Sequence, residues 1–229
     1  MIILNGRFYY FYCINSASFY TPTTMVNSEF KYNKKKNKRQ RIIETAGSVF
    51  AEKGFYGTSV TDIAKLAGIG KGTVYEYFAS KEELFYAVFE WRDGEIREAA
   101  QVSIAALGAT ASGRLRVFND VFVNAFSELK EMYTLTLEFW SAAASSPMRE
   151  RFQKEFRRMY GDYRQMVQAI VEEGKKSGEF RAGADAEAVA AALVGTCDAL
   201  GLQAWLEPDF DLRKVSRKFL EIVIQGLQK

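Results

Sequence analysis

Apolar residues recur three and four positions apart along most of this chain and rarely alternate, which predicts helices rather than strands. Ile42, Ala46, Val49 and Phe50 mark one face of a first helix, which begins in a basic run and ends at Gly54 with Phe55 placed to cover that end. Val60, Ile63, Ala64 and Ala67 mark a second helix, which either Thr58 or Ser59 can N-cap. Asp62, three residues after Ser59, resembles a capping box with a shortened acid. Gly68 sits where a helix needs a left-handed terminal residue, and a tight turn leads to Val74 and Phe78. These two lie one turn apart and face inward, so Gly72 and Glu76 turn outward with Thr73 and Tyr75 on the flanks. Ser80 caps a longer helix striped by Leu84, Phe85, Val88 and Phe89, with Glu83 placed to reach back to the cap.

Further along, the spacing predicts a helix through Phe118, Phe122 and Phe126, reached through a Gly/Ala/Ser connection near residues 108 to 113. Residues 133 to 139, YTLTLEF, alternate like a strand, but no pairing strand is visible, so they are read as helix. Ser146 and Pro147 open a long helix striped by Phe152, Phe156, Tyr160, Tyr163, Val167 and Ile170, which stops around Gly174 to Gly178. Asp185 caps an alanine-rich helix whose Gly195 would let a neighbour approach closely, and Glu207 with Pro208 ends it. The last helix follows Asp211 and is apolar on more than one side, which implies burial against both its own core and a partner.

Two short helices around a glycine turn, followed by a third that starts on its own cap, are the grammar of a helix-turn-helix DNA reader. The stretch TSVTDIAKLAGIGKGTVYEYFASKEELF, residues 58 to 85, resembles the N-terminal DNA-binding domain of the TetR family of bacterial transcriptional regulators, and the likeness extends over about residues 38 to 90. Two positions depart from or vary within that pattern. Gly70 stands where the family most often has a serine cap, and Glu76 puts an acid on the groove side, where it can accept from a cytosine amino group.

The resemblance implies an all-α protein: an N-terminal three-helix DNA-binding domain followed by a larger helical domain for ligand binding and dimerisation. In this chain the parts are an extension with a basic arm at residues 1–37, the helix-turn-helix at 38–81, and the effector and dimer domain at 82–229. It implies DNA contacts by Ser59, Lys71, Gly72, Thr73, Tyr75, Glu76, Tyr77 and Lys81. It implies a cavity for a small organic effector, apolar or aromatic, here lined by Phe122, Phe126, Trp140, Phe156, Tyr160 and Tyr163. A homodimer through the last two helices would use Leu193, Thr196, Leu200, Phe219, Val223 and Leu227. The expected function is a repressor that holds a pseudo-palindromic operator and is released by its effector, with a ligand-independent DNA-binding structural or division-related protein as the alternative.

Composition sharpens this picture. The net charge of +3 hides an asymmetry: residues 25 to 81 carry 11 Lys and Arg against 5 Asp and Glu, whereas residues 82 to 229 carry 19 against 23. The run Lys31, Lys34, Lys35, Lys36, Lys38, Arg39 and Arg41 precedes the first helix and suits phosphates or a minor groove. Histidine is absent, which removes His-based acid/base chemistry, serine triads and the magnesium-tetracycline mode of the family's namesake. No nucleophile motif, metal spacing or phosphate loop is present, so neither an enzyme nor a cofactor nor a metal site is expected. Cys13 and Cys197 fit a reduced cytoplasm. No apolar run is expected to reach the roughly 18 residues of a membrane helix. Should a carboxylate such as Glu138, Glu155 or Asp198 prove buried, it could select a cationic effector. Residues 1 to 24 are aromatic-rich and nearly uncharged, and are read either as a disordered extension or as lying ahead of a true start at Met25.

Overall fold

The computed structural model describes residues 2–4, 7–9, 38–107, 109–127 and 130–228. They belong to two units, residues 1–35 and 36–229. In the first, β1 (Ile2–Leu4) pairs antiparallel with β2 (Arg7–Tyr9), Ile3 opposite Phe8, in a stretch that the sequence reads either as a disordered extension or as lying ahead of a start at Met25. Isoleucine, phenylalanine and tyrosine all favour a pleated ladder. Met25 and Lys31 to Lys36 lie outside the described residues, whereas Lys38, Arg39 and Arg41 open a helix.

The second unit is helical. Its head consists of α1 (Lys38–Gly57), α2 (Val60–Leu66) and α3 (Lys71–Tyr77), joined to the body by α4 (Lys81–Leu107). The local signals act as expected. Ser59 Oγ accepts from Asp62 N at 3.1 Å, and the Ser59 hydrogen bond to the Asp62 side chain lowers that acid's pKa, completing the box. Gly68 takes φ 66°, which only glycine adopts without strain. Ser80 Oγ accepts from Glu83 N at 3.2 Å, but the Glu83 carboxylate does not return to the cap. It accepts from Arg151 at 2.7 and 2.8 Å, because a full guanidinium outcompetes one backbone N–H.

The body contains α5 (Ala111–Ser127), α6 (Lys130–Ser145), α7 (Arg149–Ser177), α8 (Ala186–Leu206) and α9 (Leu212–Leu227). The alternating YTLTLEF segment is helical within α6. Asp185 and Asp211 cap α8 and α9, accepting from Ala188 N and Lys214 N at 3.0 and 2.9 Å. The start of α7 differs from expectation: Ser146 Oγ bonds Met148 N at 3.1 Å, closing a turn around Pro147, and the helix begins at Arg149 without a side-chain cap. Close backbone approach occurs at Gly174 and Gly201 rather than Gly195. A Cβ on Gly174 would lie 2.2 Å from the Phe180 ring, whereas one on Gly195 would meet nothing within the chain.

One core runs without interruption from head to body. Phe85 of α4 meets Phe50 of α1 at 5.1 Å and Phe139 of α6 at 4.7 Å, and Phe139 stacks on Phe152 of α7. Such pairs contribute roughly 0.5–1.5 kcal/mol each beyond burial, which makes the junction a packed joint instead of a loose hinge. A second core gathers α5, α7, α8 and α9 around Val167, Val171, Leu220 and Ile224. Helix α8 corrects one expectation, since by length and composition it is apolar enough to cross a membrane. Alanine, with scattered leucine and valine, raises its mean hydropathy without a visible run of large apolar residues. Only 22% of its apolar window is buried within the chain.

Candidate functional site

Helix α3 buries Val74 alone, so the remainder of its surface is turned out. Lys71, Gly72, Tyr75, Glu76 and Tyr77 are exposed and Thr73 is half-buried, which places six of the eight residues expected at DNA on one short helix. The Lys71 ammonium lies 5.9 Å from the centre of the Tyr75 ring, at the outer limit of a cation–π contact, leaving its donors directed to solvent. An added Cβ on Gly72 would meet nothing, so that side of the helix is open to close approach. Ser59 is exposed; its oxygen caps α2 and its hydroxyl also bonds the Asp62 side chain, so a phosphate would compete with Asp62 for that donor.

Lys81 is placed differently. Its Nζ donates to Phe55 O at 2.7 Å and Thr58 O at 3.0 Å and lies 4.3 Å from the centre of the Phe55 ring. It latches the end of α1 to the start of α4, with one donor left over. Two members of the basic run are also used inside the head: Arg41 Nη2 donates to Ala67 O at 2.6 Å, and Arg39 covers Phe78. Their charge advertised DNA, but their position on the first turns of α1 aims them at α2 and α3.

The head is held by the body through Glu138 of α6. Both of its carboxylate oxygens accept from Phe55 N, at 2.9 and 2.7 Å, where Gly54 leaves helical geometry with φ 71°. Burial raises the Glu138 pKa, opposed by the Phe55 N–H and the nearby Lys81 charge. This carboxylate therefore caps the head and does not face an effector. Glu155 is likewise taken, by Arg158.

Phe122, Phe126, Trp140, Phe156, Tyr160 and Tyr163, drawn from α5, α6 and α7, all line one cavity of about 100 Å3. Helix α4 closes it with Phe89, Arg92, Asp93 and Ile96, and α8 with Val194, Cys197 and Asp198. Two acids reach this aromatic space. Asp93 is buried and fully answered: Arg158 Nη2 donates to it at 2.7 Å and Tyr163 Oη at 2.8 Å. Hydrogen bonds to Glu155 and Asp93 raise the Arg158 pKa further, fixing it as a cation. Asp198 accepts from Tyr160 Oη at 2.5 Å, and Tyr133 Oη donates to the Asp198 backbone carbonyl at 3.0 Å. Burial raises the Asp198 pKa against the Tyr160 hydrogen bond, and raises that of Tyr133 to about 12. Asp198 is one of the three acids the sequence offers as a selector of cations if buried, whereas Asp93 is not offered, since periodicity places acids on solvated faces by default.

The residues expected at a dimer surface separate. Leu193 and Leu227 are buried in the chain's own second core, whereas Thr196, Leu200, Phe219 and Val223 remain partly open on α8 and α9. Ile222 is 68% exposed on the same face of α9, and Trp205 and Leu206 are exposed at the end of α8.

Residues 42–88 match the family model for bacterial regulatory proteins of the tetR family, and residues 111–227 match that for the BetI-type transcriptional repressor C-terminal domain. The chain is 29% identical to the fatty acid metabolism regulator protein of Bacillus subtilis over 84% of its own length and 97% of that protein's. It is 26% identical to the transcriptional repressor KstR2 of Rhodococcus jostii, covering 84% and 92%. Among solved structures, FadR of Bacillus subtilis in complex with stearoyl-CoA superposes with a TM-score of 0.65 at 28% identity, covering 82% of this chain and 98% of that one.

Proposed function

The chain belongs to the TetR family of bacterial regulatory proteins and is a DNA-binding transcriptional regulator; on that premise we propose that it binds a pseudo-palindromic operator as a homodimer and leaves it when a small organic molecule fills the aromatic cavity. The observation that carries this reading is the continuity of α4. Its first turns pack against α1, and Phe89, Arg92, Asp93 and Ile96, further along the same helix, wall the cavity. A ligand that prefers one placement of α4 therefore prefers one placement of α3.

Lys71 and the hydroxyls of Thr73, Tyr75 and Tyr77 would meet phosphates and base edges, Gly72 would let the backbone approach, and Glu76 would read a cytosine. Ser59 and the third Lys81 donor would hold the backbone from the neighbouring helix ends. Glu138 on Phe55 and Arg151 on Glu83 would carry the shift of α6 and α7 to the head. The partly open face of α8 and α9 would make the dimer through Phe219, Ile222 and Val223. Two heads are needed because one head of this size buries too little DNA for tight specific binding.

The cavity favours ligand regulation over a DNA-binding protein that senses nothing, whose body would be closed. Both work where the chromosome is, in the cytoplasm. The test is fluorescence anisotropy with a fragment from the protein's own upstream region at fixed salt, followed by a compound screen for release. Release that is lost in Trp140→Ala, with DNA affinity kept, supports the reading. A DNA complex that no compound disturbs contradicts it.

A further inference from the structure

Resting on the reading of this cavity as the effector site, we propose that the group it recognises is a compact organic cation, held by the Asp198 carboxylate within the rings of Phe126, Trp140, Phe156 and Tyr160. The two acids of the cavity differ in the one respect that matters. Asp93 has its counter-charge built in, supplied by Arg158 from the same helix as Tyr163. Asp198 has a hydroxyl and no more: among the described residues no Lys or Arg forms an ion pair with it, and its carboxylate sits in a space lined mainly by aromatic rings. Asp198 is half-buried, and a carboxylate partly withdrawn from water without a cation is unfavourable by itself; it becomes favourable when the bound molecule brings the cation.

The surrounding rings make the same selection. Aromatic faces present negative charge and bind ammonium groups best when water is excluded. A hydrated primary amine would forfeit more hydrogen bonds here than Asp198 returns, so the geometry favours an alkylated ammonium whose methyls contact the rings. The volume of about 100 Å3 lies below the roughly 300–1,000 Å3 of drug-sized sites, which suits a compact headgroup and not an entire long chain.

The full-length protein is titrated with tetramethylammonium, tert-butanol and pivalate, compact methyl-bearing probes of positive, zero and negative charge, followed by broadening of their methyl NMR signals. Tetramethylammonium is expected to bind saturably and at least about tenfold more tightly than the other two. Asp198→Asn, which keeps an acceptor for Tyr160, should lose about tenfold for tetramethylammonium alone, whereas Tyr160→Phe, which retains the carboxylate, should still bind it; circular dichroism checks both folds. Equal affinity for the three probes, or an unchanged Asp198→Asn, overturns the cation. So does saturable binding of pivalate or of a long-chain acyl-CoA with none of tetramethylammonium, but there the effector reading survives if that compound releases DNA. If nothing enters the cavity and nothing releases DNA, both fall.

Discussion

Single residues decide what the head can hold. Lys71 is exposed on the open face of α3, and its ammonium makes only the outer contact with Tyr75. Lys71→Ala should therefore weaken specific and non-specific DNA binding alike by roughly 1–3 kcal/mol, and should lower the salt slope by about one. Anisotropy titrations over a salt series measure both, and an unchanged slope would remove Lys71 from the phosphate backbone. Glu138 makes a prediction in pH. Burial raises its folded pKa above the unfolded one, so the native state holds the proton more tightly. Its contribution is thus present at acid pH and is lost as pH rises from the ordinary carboxylate value through the raised one. Compared with Glu138→Gln, wild-type protein should lose stability across that window in urea titrations, and an opposite slope would mean that the Phe55 N–H outweighs burial.

At the scale of elements, the legible features were those whose cause lies within a turn or two of chain. Ser59, Gly68, Ser80, Asp185 and Asp211 act on residues three positions away or on their own φ, and the periodic stripes of α1, α7 and α9 needed only spacing. Glu83 and Glu138 were not legible, because their partners Arg151 and Phe55 stand 68 and 83 residues off. Gly174 was read only as a helix stop, yet it is where Phe180 folds back on α7. Its backbone carbonyl accepts from Phe180 N at 2.9 Å, and Ala111 Cβ would lie 2.8 Å from an added methyl. Gly174→Ala should cost about 1–3 kcal/mol by overpacking this corner, measurable by urea denaturation, whereas Gly195→Ala should cost the folded monomer little. A neutral Gly174→Ala would show that the Phe180 ring is free to move aside.

The whole molecule explains why a fold class was readable and a mechanism only partly so. Helix periodicity specifies how many rods there are, and the six aromatic residues named from α5, α6 and α7 do meet around one cavity. Nothing in periodicity could say that α4 would carry both the head's core and the cavity's wall, or that Asp93 would pair with Arg158 while Asp198 accepts from Tyr160. The partner face shows the same limit, since Leu193 and Leu227 share their helices' apolar character but turn inward. If the open face of α8 and α9 holds a second copy, Ile222→Glu should yield a monomer by light scattering, with the helical spectrum retained and operator affinity lost. A dimer that survives Ile222→Glu would place the interface elsewhere.

Sequence-specific DNA binding by α3 is tested most directly by selection of genomic fragments with purified protein, followed by sequencing of what is retained. Wild-type protein should enrich a small set of fragments sharing a pseudo-palindrome with half-sites about one helical turn apart, and Glu76→Ala should alter the preferred bases within it. Retention of no fragment above the background of bulk DNA, or a site preference in Glu76→Ala identical to that of the wild type, would contradict it.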